Sequence, residues 1–356
     1  MIAFEKQLIS LERFESAAFV DVDCNGVMDI VSGAWWYQGP DFKTAHRIYT
    51  PPAEGEYYDD FSTIAMDVTG NGFPDIITGG WWGGALRILE NPGASGGLWN
   101  VNTLENIGNI ETSIGVDIDG DGVIEMIPNT PNSVQSVYKL EDHKLVRYIV
   151  GDSPTGHGLG TGDLAGNGRM DIILCNGWLE NPGSLTKKWN FHPDFKLSPW
   201  TGVPVLAVDL DDDGEIELIS GSGHNYGLSY FKRESGVWRE HVIDPWNAQY
   251  HCLRWVDIDG DGKMELVTGK RHRAHCGNDP GENDPAGIYY FKFINGQFVK
   301  QVIDYGPNTP LSGKGCGIQF DLFDLEGNGF LSVIAPGKDG LFLYRNTGDR
   351  ETQRMK

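Results

Sequence analysis

Basic residues are scarce: 28 Lys and Arg stand against 50 Asp and Glu, a formal charge of −22. A surface of that sign repels phosphate backbones and anionic lipid, which argues against nucleic acid and membrane as partners. No apolar run approaches the length of a membrane span, and no stretch repeats its apolar residues at helical spacing. Cysteine is sparse as well. The five (Cys24, Cys175, Cys252, Cys276 and Cys316) are odd in number and lack closely paired spacing. That pattern favours free thiols in a reducing cytoplasm over a disulfide framework. The first residues, MIAFEKQLISLERF, show no basic segment followed by an apolar one. No signal peptide is read there, although a trimmed leader would leave the same picture. Also missing are G-x-S-x-G, a Walker loop and a dinucleotide fingerprint. Glycine is the residue in excess, 48 in 356, with 40% hydrophobic residues. Together they point to one all-β domain over residues 1–356, built of many short strands and tight turns.

One pattern returns seven times: an apolar strand, an acidic glycine loop and a second apolar strand. The loops begin at Asp21, Asp67, Asp117, Asp163, Asp209, Asp257 and Asp324. DIDGDGVIE, DLDDDGEIE and DIDGDGKME are the fullest, and DLEGNGFLS ends without an acid. A period near fifty, with four alternating strands in each repeat, predicts a seven-bladed β-propeller. The last repeat stops after its third strand, LFLYRN. FEKQLIS at residues 4–10 matches the pattern of a fourth strand, FVKQVID. The N-terminal strand is therefore expected to close the last blade and leave no large exposed edge.

In D-x-D-x-D-G-x-x-D/E, oxygens at positions 1, 3, 5 and 9 can converge on a hard cation, and glycine permits the turn. Asp117, Asp119, Asp121 and Glu125 form one full set. Asp209, Asp211, Asp213 and Glu217 form a second, and Asp257, Asp259, Asp261 and Glu265 a third. Asp21, Asp23, Asn25 and Asp29 come close. Structural Ca2+ is expected at these four loops, with weaker binding where Thr69 and Ala165 replace the acid at position 3. Over all seven loops, positions 1, 3, 5 and 9 hold 21 carboxylates, close to the charge excess of 22. The competing reading is that Asp, Asn and Gly here only make turns.

Strand order places the connections from second to third strand, and from one blade to the next, on the opposite, upper face. Six residues before each loop Asp, at the top of the innermost strand, stand Glu15, Phe61, Glu111, His157, Val203, His251 and Ile318. Fifteen residues after it stand Trp36, Trp82, Asn132, Trp178, His224, His272 and Asp339. His157, His224 and His251 belong to consecutive repeats and form a candidate site for Zn2+ or Mn2+ with an open position. The alternative is that each is an ordinary polar rim residue. The sixth repeat carries the longest upper loop, residues 269–287, offering Lys270, Arg271, His275 and Asp279; Lys338 is the equivalent of Arg271 in the last repeat. Such a loop on a rigid scaffold is more often functional than decorative. Trp36, Trp82, Trp178 and Tyr226 are candidates for stacking on a sugar, with packing between blades as the competing explanation.

The acidic loops resemble those of FG-GAP/VCBS-type propellers along nearly the whole chain. GHGLGTGDLAGNGRMDI, the segment HCLRWVDIDGDGKMELVTGKRHRAHCGNDPGENDPAGIYYF, and GIQFDLFDLEGNG resemble the propeller domain of aldos-2-ulose dehydratases. That resemblance implies a metal-assisted lyase acting on a keto-sugar or related carbohydrate. The cupin domains of the fungal enzyme have no counterpart here. On this reading a metal on His157, His224 and His251 polarises a carbonyl. Glu111 or an unliganded histidine takes the α-proton, and Lys270, Arg271 or His275 steadies the leaving group. A non-catalytic, calcium-stabilised propeller binding glycans or protein through its tryptophan rim is the alternative.

Overall fold

The computed structural model describes residues 2–349. Strands dominate it. Apart from one 3-10 turn at Gly93–Ser95, no helix occurs among the described residues. Each repeat folds as an antiparallel meander, as in the sixth, where Tyr250–Val256, Glu265–Lys270, Ala286–Ile294 and Gln297–Gly306 pair in chain order. Five such four-stranded sheets are separate. The fourth and fifth repeats share an eight-stranded sheet, because their inner strands Leu159–Gly162 and Val205–Val208 pair in parallel. Glycine permits that approach: a Cβ on Gly160 would overlap the Val205 carbonyl oxygen, and one on Gly162 would overlap Ala207.

The chain ends meet as the sequence pattern anticipates. Ile2–Ser10 pairs antiparallel with Leu341–Asp349, with Glu5 opposite Arg345 and Leu8 opposite Phe342. The last sheet thus draws one strand from the N-terminus and three from the C-terminus. Apolar packing follows the same circuit. Among the described residues, each buried cluster joins neighbouring repeats, such as Ile77 and Leu86 with Met126 and Tyr138. One cluster joins the last repeat to the first, through Ile334 and Leu343 against Ile30 and Tyr37. The sheets therefore stand in a propeller-like ring. Their inner strands line an axial cavity of about 570 Å3 that includes Ile64, Val205 and Leu253.

The acidic loops are built alike. Both carboxylate oxygens of the first Asp accept backbone N–H groups four and five residues on. For Asp117 these are Asp121 N at 3.1 Å and Gly122 N at 2.9 Å. Asp21, Asp67, Asp163, Asp209, Asp257 and Asp324 repeat the arrangement. The sixth residue is glycine each time because the turn needs a left-handed backbone, with φ between 79° and 89°. The acid at position 9 reaches back to the start of the loop, as when Glu125 accepts from Ile118 N at 3.0 Å.

Candidate active site

The upper end of the axial cavity is closed by charged side chains packed across the ring. Glu111 from the third repeat meets His251 and Arg271 from the sixth. Glu111 Oε1 lies 2.9 Å from His251 Nε2, 3.4 Å from Arg271 Nη1 and 3.6 Å from His224 Nε2. Arg271 Nε donates to Glu15 Oε2 at 2.5 Å, and Lys338 Nζ donates to Glu15 Oε1 at 2.6 Å. All six are buried. Burial alone raises a carboxyl pKa and lowers that of an imidazole. For Glu111 burial is outweighed by the neighbouring His224 and His251 imidazoles, which hold the carboxyl well below its usual range. Burial also opposes ionisation of Glu15, yet Arg271 and Lys338 bring it down to about 2. His251 is pushed down to about 4, chiefly by burial and despite Glu111. His224 goes the other way: burial is overcome by Asp279 and Glu111.

Ligand atoms of Glu111, His224 and His251 lie within 4.8 Å of one another. The trio expected from the sequence was His157, His224 and His251; the group whose ligand atoms converge here is Glu111 with His224 and His251. His157 stands beside them, its ring centroid 5.3 Å from that of His224. Its Nδ1 is buried with no hydrogen-bond partner, and burial lowers its pKa. His224 Nε2 also lacks a partner, whereas its Nδ1 faces Asp279 Oδ2 at 3.1 Å. Asp279 binds His275 Nδ1 at 2.8 Å through its other oxygen, and the His224 and His275 rings stack 4.1 Å apart. A carboxylate behind one imidazole nitrogen orients the other for a metal. The residues therefore fit a divalent transition metal, as a two-histidine, one-carboxylate set.

Above this floor opens a pocket of about 400 Å3, lined by Tyr57, Phe61, Trp81, Trp82, Glu111, Pro131, Asn132, His157, Trp200, Arg271 and His275. Trp82 and Trp200 are each 44% exposed. The Trp81 ring lies nearly parallel to that of His157, 6.1 Å away. Tyr57 and Trp200 were not singled out in the sequence. Both lie in connections entering an inner strand, which strand order already places on this face, and an aromatic there is the signal.

Several residues expected to be catalytic or substrate-binding are engaged by contacts within the fold. Lys270 Nζ donates to the Glu282 and Asp284 carbonyls at 3.2 and 2.8 Å and also to that of Gly281, so it pins the long loop. Lys338 is enclosed by Glu15, the Arg273 and Ala274 carbonyls and the Tyr57 ring. Trp36 and Trp178 stack on His46 and His192 of their own fourth strands, with centroids 4.0 and 4.2 Å apart. Tyr226 donates to Asp284 Oδ2 at 2.6 Å, away from the aromatic pocket. The long loop spans the mouth: Arg273 pairs with Glu56 at 2.8 Å, and Tyr57 Oη donates to the Ala274 carbonyl at 2.6 Å.

On the lower face, the three fullest loops each receive a lysine from the third strand of the same repeat. Lys139 meets Asp119, Asp121 and Glu125. Lys232 meets Asp211, Asp213 and Glu217, and Lys292 meets Asp259, Asp261 and Glu265. Among the described residues, no such cation meets the first loop. Asp21, Asp23 and Asp29 converge there, with Asn25 hydrogen-bonded within the turn.

The FG-GAP-like repeat family matches residues 209–268, which span the fifth and sixth acidic loops. No curated protein matches the chain. Among solved structures, rhamnogalacturonan lyase YesW is 14% identical over 95% of this chain and 72% of its own, with a TM-score of 0.50. The exotype rhamnogalacturonan lyase YesX is 12% identical over the same shares, with a TM-score of 0.51. The extracellular domain of the putative one component system BT4673 from B. thetaiotaomicron is 14% identical over 96% of this chain and 40% of that one, with a TM-score of 0.56. At such identities the likeness establishes the fold and nothing finer: an all-β, propeller-like ring carrying an FG-GAP-like repeat.

Proposed function

We propose that this chain is a seven-bladed propeller whose upper mouth is a carbohydrate lyase site, eliminating water or an alkoxide beside a carbonyl of a keto-sugar or glycoside. The eight-stranded sheet is two consecutive meanders, which with the five separate sheets supports seven blades. The observation that carries the functional reading is the convergence of Glu111, His224 and His251 beneath a pocket walled by Trp81, Trp82 and Trp200. Aromatic faces suit pyranose C–H surfaces, and buried ionisable groups at the base suit proton transfer. Two of the similar structures are lyases named for a polysaccharide, in keeping with this chemistry.

A Zn2+ or Mn2+ ion held by Glu111, His224 and His251 would polarise the substrate carbonyl. His157 lines the pocket and burial favours its neutral imidazole, which takes the proton from the carbon beside that carbonyl. The electrons of that C–H bond become the C=C bond, and the C–O bond to the leaving group breaks with its pair on oxygen. His275, oriented by Asp279, returns a proton to that oxygen. Arg271 holds a fixed positive charge on the pocket floor, where negative charge develops.

Replacing His251 by Ala is expected to lower turnover of a keto-sugar or uronate-glycan panel by roughly 10²–10⁴-fold, with zinc uptake lost in parallel. Trp82→Ala is expected to raise KM about tenfold with less effect on kcat, as for a positioning residue. Sugar binding that depends on Trp82, with no turnover by the wild-type chain, contradicts the lyase reading and leaves a glycan-binding module.

A further inference from the structure

We infer that the three most acidic lower loops are closed by the chain's own lysines in place of calcium. An ammonium group has three donors, and each of these loops offers it three carboxylates, at positions 3, 5 and 9. Lys232 Nζ lies 2.7 Å from Asp211, 2.8 Å from Asp213 and 3.0 Å from Glu217. Lys292 stands 2.5, 2.9 and 3.4 Å from Asp259, Asp261 and Glu265. Lys139 repeats this, 2.5 Å from Asp121 and 3.4 Å from Glu125, with Asp119 also in contact. Calcium takes six to eight oxygens at about 2.3–2.6 Å, so it cannot share these carboxylates with an ammonium group seated among them.

The seven repeats themselves supply the second line of argument. The lysine position faces the second strand beside loop position 9, as Lys292 does opposite Glu265. Its equivalents in chain order are Gln38, Glu90, Lys139, Glu180, Lys232, Lys292 and Arg345. Where positions 3 and 5 are both acidic, the partner is lysine. With one acid there it is Gln38, hydrogen-bonded to Asp23 at 3.4 Å, or Arg345, paired with Glu326. With none, in the second and fourth repeats, it is Glu90 or Glu180, which turn to Asn100 and His192. The charge on the third strand follows the charge of its own loop. A turn-forming role alone gives no reason for that correlation, and a bound calcium ion would disfavour a lysine there.

Calcium uptake by the full chain tests this, measured by equilibrium dialysis with calcium alone. Lys232→Gln and Lys292→Gln are each expected to bind one more ion than the wild type at millimolar calcium. Each variant is also expected to melt roughly 2–6 °C lower in chelator and to recover with calcium. Lys232→Arg is expected to behave as the wild type. Equal uptake by wild type and both glutamine variants overturns the proposal, as does a wild-type melting temperature that falls on chelation as far as theirs. Should one variant fail to fold, the other decides.

Discussion

Glu111 stays ionised in a buried site because three neighbours donate to it or stand within reach, and on the proposed reading that suits it to hold a metal rather than to accept a proton. A carboxylate held well below its usual range is a weak base, so the proposed mechanism gives the proton-accepting role expected of it from sequence to His157. Asp244 shows the same physics away from the site. Burial raises its pKa, but Lys300, the Trp246 N–H, Asn247 and the Tyr250 hydroxyl together hold it at about 2. A depressed carboxyl pKa stabilises the fold above its unfolded value of about 3.9, and that contribution is lost as pH falls through the folded value. Asp244→Asn is therefore expected to cost roughly 2 kcal/mol near neutral pH, the gap to wild type closing between about pH 4 and 2. Denaturant unfolding across that range measures it, and a gap independent of pH would refute the ion-pair explanation. Neither assignment was legible in the sequence: Asp244 and Lys300 are 56 residues apart, on the outer strands of neighbouring repeats.

At the scale of strands, the closing pair is the most consequential. Ile2–Ser10 supplies the outer strand of the last sheet, and Lys6 reaches Asp304 of the preceding repeat at 2.8 Å. Removing residues 1–10 is expected to lower the melting temperature by roughly 10 °C or more, since the last sheet loses a whole strand and exposes an edge. An unchanged transition in scanning calorimetry would show that the strand is dispensable. This pairing was readable because FEKQLIS repeats an outer-strand pattern. The merger of the fourth and fifth sheets was not, since Gly160 and Gly162 in GLGTG read as turn signals and only the neighbouring backbone shows why they stand in a strand. Trp178 misled for a similar reason. It aligns with Trp82, yet it lies in a strand opposite His192 and stacks there, whereas Trp82 falls in a turn and faces the pocket.

Over the whole molecule, the period of the acidic loops made the ring legible and told which residues share its upper end. Which atoms meet there was not legible. The repeat alignment brings consecutive blades together, whereas the mouth is narrow enough for the third repeat to touch the sixth and the sixth to touch the first. Hence Glu111, 140 residues from His251, meets it there. The lysines of the lower face were within reach, because their charge follows the acid count of each loop; attention to the acids alone passed them over. The central claim, a metal-dependent lyase at the upper mouth, is tested most directly by following formation of unsaturated product from keto-sugars and uronate glycans by ultraviolet absorbance, using chelated protein with single metals restored. Turnover that vanishes on chelation and returns with zinc or manganese but not with calcium is the expected result. Sugar binding without product under every metal would contradict it.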